Sequence, residues 1–162
     1  DNGFFPNFSI AQNIAISRSL KDGGYKGAMG LFHEVDEQRT AEAQRELLAL
    51  KCHSVNQNIT ELSGGNQQKV LISKWLCCHP EVIIFDEPTR GIDVGAKAEI
   101  YKVMRQLADD GKVILMVSSE LPEIITVCDR IAVFCEGRLT QILTNRDDMS
   151  EEEIMAWALP QE

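Results

Sequence analysis

The chain has 162 residues and a formal net charge of −9. That length fits one ordinary domain or two small lobes, and the acidic balance argues against a general nucleic-acid or anionic-membrane binder. No apolar run approaches the ~20 residues of a membrane span, and no charged start followed by an apolar core marks a signal peptide. The five cysteines, at positions 52, 77, 78, 128 and 135, lack CxxC spacing and read as small buried residues kept as thiols.

The first sixty residues read as a helical, polar lobe. Phe4, Phe5, Pro6 and Phe8 form an apolar knot around a turn. Ser9 then caps a helix from Ile10 to Ser19, with Ile10, Ala11 and Ile14 on one face. Lys21 to Gly30 holds four glycines and reads as a mobile loop. A second helix is expected from about Glu34 to Leu50. Leu47, Leu48 and Leu50 sit at its end, and its many charges make a solvated face. Lys51 to Thr60 looks irregular. His33 and His53 read as surface residues rather than ligands, and nothing in this lobe carries acid–base chemistry.

Leu62-Ser63-Gly64-Gly65-Asn66-Gln67-Gln68 opens the next helix, which continues through Val70, Leu71, Trp75 and Leu76. Ser63 is a natural N-cap, its hydroxyl accepting from a first-turn N–H. The two glycines let the backbone come close to something bulky, and a helix start with bare N–H groups suits a phosphate. Taken alone, the segment is more simply a capped helix after a turn.

Strand and helix then alternate. Val82 to Phe85 is a continuous apolar run after Pro80, as in a parallel-sheet strand buried on both faces. It ends in Asp86-Glu87-Pro88-Thr89, and the carboxyl ends of such strands are where α/β sheets place ligands. Asp86 suits Mg²⁺, directly or through water, and Glu87 suits orienting or deprotonating a water. The simpler alternative is an acidic turn. A helix follows from about Gly95 to Ala108, with Ile100, Met104 and Leu107 as core. Val113 to Val117 is a second buried strand ending in Ser118-Ser119-Glu120. Pro122 opens a short helix to Val127. Ile131 to Phe134, turned by Glu136-Gly137 into Leu139 to Leu143, reads as a hairpin. Ser150 with Glu153 reads as the capping box of a last helix, held down by Ile154, Met155, Trp157 and Leu159.

In this order the motifs closely resemble the ATP-binding cassette ATPases. Leu62–Gln68 looks like the family's signature motif, Ile83–Thr89 like its Walker B strand with catalytic Glu87, and Gly91-Ile92-Asp93 like its D-loop. Ser119 stands where the family usually has its switch histidine. Asn66-Gln67-Gln68-Lys69, the run from Asp86 to Lys97, and Ser118 to Glu123 are similar to the second cassette of bacterial monosaccharide importers. So is Phe5-Pro6-Asn7-Phe8-Ser9-Ile10-Ala11-Gln12-Asn13-Ile14.

The resemblance implies an α/β, partial P-loop NTPase fold: a helical subdomain over residues 1–61, then over residues 62–162 the signature helix and the C-terminal half of a RecA-like, mostly parallel sheet. It implies ATP and Mg²⁺ as cofactors. Leu62, Ser63, Gly64, Gly65, Asn66, Gln67, Asp93 and Ser119 would serve the nucleotide, Asp86 the metal, and Glu87 catalysis. It implies partners too: a first cassette on the same or a paired polypeptide, membrane permease subunits, and indirectly a sugar-binding protein outside the membrane, with no nucleic acid. The place implied is the cytoplasmic face of a bacterial membrane.

Two departures qualify this. No G-x-x-x-x-G-K-[ST] loop occurs, so the chain reads as the C-terminal piece of a cassette and is expected to be inactive alone. Serine at 119 lacks the charge and reach of histidine. In the resembled subgroup the second cassette's own site is degenerate, and its signature serves ATP held by the first. The competing readings are a non-transport module of the same fold and an inactive gene remnant.

Overall fold

The computed structural model describes residues 3–21 and 34–160. The chain divides into two compact units, Asp1–Ile83 with Thr89–Val113, and Ile84–Pro88 with Ile114–Glu162.

The first unit carries α1 (Ile10–Lys21), α2 (Glu34–Leu47), a 3-10 turn (Ile59–Glu61), α3 (Gly64–Leu76) and α4 (Val94–Asp109). A capping box starts α1: Gln12 N–H donates to Ser9 Oγ at 3.2 Å, and Ser9 N–H donates to Gln12 Oε1 at 2.9 Å. Ile10, Ala11 and Ile14 are buried as their spacing predicts, in a core shared with Ala41, Ile59 and Val70. The phenylalanine knot is ordered by a residue that hydrophobic patterning hides. Asn13, fully buried, accepts from Phe5 N–H at 2.8 Å, and its Nδ2 donates to the carbonyls of Phe5, Phe8 and Ser9.

α2 stops at Leu47, short of the expected Leu50. The cause is a Schellman closure. Ala49 has φ 46°, Leu50 N–H donates to Arg45 O at 2.9 Å and Ala49 N–H to Glu46 O at 3.3 Å. Lys21, expected to open a loop, is still helical. The rest of that loop, with His33, lies outside the described residues. His53 is exposed. On α4, Ile100, Met104 and Leu107 are buried together with Val103.

β1 (Val82–Asp86) and β2 (Val113–Val117) form a two-stranded sheet. They run parallel: Val113 N–H donates to Glu81 O where both start, and Glu87 N–H donates to Val117 O where both end, each at 2.9 Å. Their expected burial on both faces is not found. Phe85 is buried, but Val82, Ile84, Val113, Leu115 and Val117 are all more than half exposed. An apolar run shows that a strand could be covered on two sides; among the described residues nothing covers the second side here.

The second unit adds α5 (Leu121–Val127), β3 (Arg130–Cys135), β4 (Arg138–Thr144) and α6 (Glu151–Ala158). β3 and β4 pair antiparallel around Glu136-Gly137, whose φ values of 48° and 77° make the type I′ turn that suits a two-residue hairpin. Ile131 and Val133 point into a core with Met149 and Ile154. Ser150 Oγ caps α6 by accepting from Glu153 N–H at 3.2 Å, but the Glu153 carboxylate grips the Arg146 guanidinium instead of returning the bond. Of the four residues expected to hold α6 down, only Ile154 is buried; Met155, Trp157 and Leu159 are exposed. Ala158, four residues on, packs against the same core as Ile154.

All five cysteines are free thiols, and only Cys77 is fully buried, its thiol pushed up to about 11 by that burial. The other four are half-buried, a correction to the expectation that all would be interior.

Candidate functional site

The start of α3 is built by side chains that turn back on the loop before it. Ser63 sits at the N-cap with φ −62° and ψ 155°, yet its hydroxyl caps no backbone N–H. This corrects the expectation from the sequence. Ser63 Oγ instead accepts from Asn66 Nδ2 at 2.9 Å, and Asn66 Oδ1 accepts from Lys51 N–H at 2.9 Å. Gln67 Nε2 donates to Leu62 O at 3.1 Å and Ile59 O at 3.3 Å, tying the 3-10 turn to the helix. Leu62 itself is buried in the apolar core.

The candidate residues from 62 to 67 therefore divide. Leu62 and Gly65 face inward, and the amides of Asn66 and Gln67 are spent on the loop. Ser63 and Gly64 are exposed. Among the described residues the first-turn N–H groups of Gly64, Gly65 and Asn66 meet no acceptor; with Gly65 buried, it is the exposed Ser63–Gly64 edge of this positive helix end that faces solvent.

Gly65 is required by packing. A Cβ built there would lie 2.5 Å from Ala96 Cβ, in the first turn of α4. Asp93 is the N-cap of that helix; its Oδ1 accepts from Ala96 N–H at 2.9 Å. The signature-like segment and the D-loop-like turn thus meet within the first unit.

A charged cluster braces the same two helices and was not singled out from the sequence. Lys69 is almost fully buried, and its Nζ donates to Glu99 Oε2 at 2.9 Å and to Ala49 O at 3.1 Å. Lys51 Nζ donates to Glu99 Oε1 at 2.8 Å. Hydrogen bonds from Lys51 and then Lys69, with the Lys69 charge, hold the Glu99 carboxyl down to about 2. The available signal was spacing: Lys69 shares a helical face with the apolar Ile72 and Leu76.

Asp86, Glu87 and Ser119 lie together in the second unit. Asp86 ends β1, exposed and without a side-chain partner among the described residues. Glu87 has φ 48°, a conformation that costs a non-glycine residue, and two bonds fix it. Its N–H donates to Val117 O at 2.9 Å, and its Oε1 accepts from Ser119 N–H at 2.9 Å. Glu87 is held by the backbone of residue 119, not by its side chain. Ser118 Oγ donates to Glu123 Oε2 at 2.9 Å and accepts from Glu120 N–H at 3.0 Å, which shapes that loop.

The described residues hold no cluster of three or more His, Cys, Asp or Glu that could ligate a metal. A free carboxylate at Asp86 fits Mg²⁺, which binds through one or two carboxylates and keeps its other ligands as water or phosphate. The unpaired N–H groups at α3 fit a phosphate oxygen.

A family model described as ABC transporter matches residues 1–90. The chain belongs to the ABC transporter family. As a family member it is 98% identical over its whole length to the D-allose import ATP-binding protein AlsA of Escherichia coli (strain K12), covering 32% of that protein. It is 47% identical over 96% of its length to the ribose import ATP-binding protein RbsA of a Bacillus cereus strain, covering 31% of it. The chain thus spans about a third of the curated relatives it matches. In fold it is similar to the ATP-binding cassette MJ0796, solved as a dimer with ADP and Pi, with TM-score 0.71, 24% identity, and 90% and 60% of the two chains covered. It is also similar to the cassette MJ1267, with TM-score 0.73, 21% identity, and 97% and 67% covered. These likenesses establish the partial ABC ATPase fold. Among the described residues no helix is long and apolar enough to cross a membrane.

Proposed function

We propose that this chain is the signature-bearing part of the second cassette of a polypeptide that energises import of a monosaccharide. The observation that carries this reading is the start of α3. An exposed Ser63 hydroxyl and three unpaired N–H groups stand on a segment whose other side chains are tied down. Such a surface binds an anion without reorganising, and its hydrogen bonds to a charged phosphate are about twice as strong as neutral ones.

In this reading ATP and Mg²⁺ supply the transferable phosphoryl group and the charge that neutralises it. Ser63, Gly64 and Gly65 face a phosphate held by the first cassette, while Leu62, Asn66 and Gln67 support that face from behind. Asp86 holds Mg²⁺ at the cassette's own site, and Glu87 orients the attacking water there. Ser119, uncharged, contributes its backbone N–H to Glu87. Asp93 lies at the junction with the partner cassette. Residues 1–61 pass closure of the pair to a permease, which places the protein at the cytoplasmic face of the membrane. The relatives named for D-allose and ribose import favour a monosaccharide, with D-allose first to test.

The test is Ser63→Arg in the full transporter reconstituted with its permease and binding protein. The bulky cation would block the phosphate face, so D-allose uptake and ATP hydrolysis should both vanish while expression and assembly persist. Normal uptake would remove the signature assignment.

A further inference from the structure

The character of the Ser63 hydroxyl is decided by its neighbour. The backbone N–H of Lys51 can only donate, so the Asn66 atom 2.9 Å from it is the amide oxygen. That fixes the amide's orientation and leaves Nδ2 facing Ser63 Oγ, also at 2.9 Å. An NH₂ group can only donate, so the hydroxyl accepts, and its own proton points away from Asn66. Among the described residues nothing else bonds Ser63 Oγ, and the residue is exposed.

Without this bond the serine would be free to do what N-cap serines ordinarily do, which is accept from its own helix. Ser63 Oγ accepts from Asn66 with one of its two lone pairs, and no first-turn N–H reaches the other, so those groups stay open. Lys51 is a firm anchor for the arrangement. Its backbone follows the Schellman closure at Ala49, and its Nζ is held by Glu99.

We propose that Asn66 is a positioning residue that presets the Ser63 hydroxyl as a hydrogen-bond donor toward a phosphate oxygen of a nucleotide. The inference rests on the reading of this segment as phosphate-facing. It gives Asn66 a role at one remove from the ligand: Oδ1 reads the loop, Nδ2 sets the hydroxyl, and the hydroxyl meets the anion.

The experiment uses the full-length polypeptide with its permease and combines two readouts. The first is steady-state ATP hydrolysis for Ser63→Ala, Asn66→Leu and the double variant. Each single change should lower kcat/KM roughly tenfold or more, the loss of one charge-assisted bond, and the double variant should be no worse than Ser63→Ala. Asn66→Gln, which keeps donor and acceptor, should recover most of the rate. Asn66→Asp keeps the acceptor for Lys51 but would draw the serine proton inward; it should lose activity even if Asn66→Leu folds poorly. The second readout is amide exchange at Lys51 without nucleotide, expected to speed up in Asn66→Leu and stay slow in Ser63→Ala. Additive kinetic losses, or unchanged Lys51 exchange in Asn66→Leu, overturn the positioning role alone. No effect of Ser63→Ala removes the phosphate-facing reading, and this inference falls with it.

Discussion

Gly65 and Ala96 approach so closely that a methyl group on the first would sit 2.5 Å from the Cβ of the second. The obstructing atom is fixed to the α4 backbone and has no rotamer to move into. Gly65→Ala should therefore force α3 and α4 apart, destabilising the fold by about 1–3 kcal/mol. Thermal unfolding checks this, with a drop of roughly 2–4 °C per kcal/mol for a domain of this size. Ala96→Gly should restore much of the loss. An unchanged melting temperature in Gly65→Ala would show that the helices are not in contact.

The Glu99 cluster predicts a pH dependence. Its carboxyl is drawn from 4.5 to about 2 in the folded chain, first by hydrogen bonds from Lys51 and Lys69. A lowered folded-state value means the carboxylate contributes stability fully above about pH 4.5. That contribution fades as the pH falls from there toward 2. Glu99→Gln should flatten this part of a urea-unfolding series. It should also lower stability at neutral pH, because the buried Lys69 ammonium loses its anionic partner. Water screens the partly exposed Glu99 side of the pair, so the loss should be ~1–2 kcal/mol. A variant series parallel to the wild type between pH 2 and 5 would contradict the cluster.

Ala49 closes α2 in a conformation that glycine adopts without cost. Ala49→Gly should stabilise the chain by about 0.5–1 kcal/mol, read as a rise in the urea midpoint with unchanged slope. The Lys69 bond goes to the carbonyl of residue 49 and survives the change. A loss of stability would argue against the Schellman closure.

Nucleotide affinity is predicted to be poor. The chain contains no G-x-x-x-x-G-K-[ST] segment, and its phosphate-facing groups form one side of a site. Calorimetric titration of the isolated chain with Mg-ATP should give no binding in the micromolar range, and no hydrolysis should be detected. A micromolar Kd would overturn the half-site reading.

Much of this was legible in the residues. Helix starts at Ser9 and Ser150, the hairpin at Glu136-Gly137 and the apolar faces of α1 and α4 follow from local geometry, which a short window contains. The signature-like run and Asp86-Glu87 were legible for the same reason, since each motif is contiguous. What failed was coverage. Val82, Ile84 and Leu115 have strand character, but their exposure depends on what packs across them. Trp157 and Met155 failed similarly: both are apolar and helical, but the fold leaves them exposed.

By itself the sequence determined the order of elements and the family resemblance, and it offered candidate residues for a nucleotide, because spacing and residue type carry that information. Only the tertiary structure decided what those residues are free to do. Ser63 caps no backbone N–H and accepts instead from Asn66, whose amide oxygen takes the N–H of Lys51, twelve residues before Ser63. Glu87 is gripped through a backbone N–H thirty-two residues on, and Gly65 is glycine because of a methyl group on another helix. Hydrogen bonds and close contacts join whatever the fold brings within about 3 Å, and a linear pattern does not record that distance.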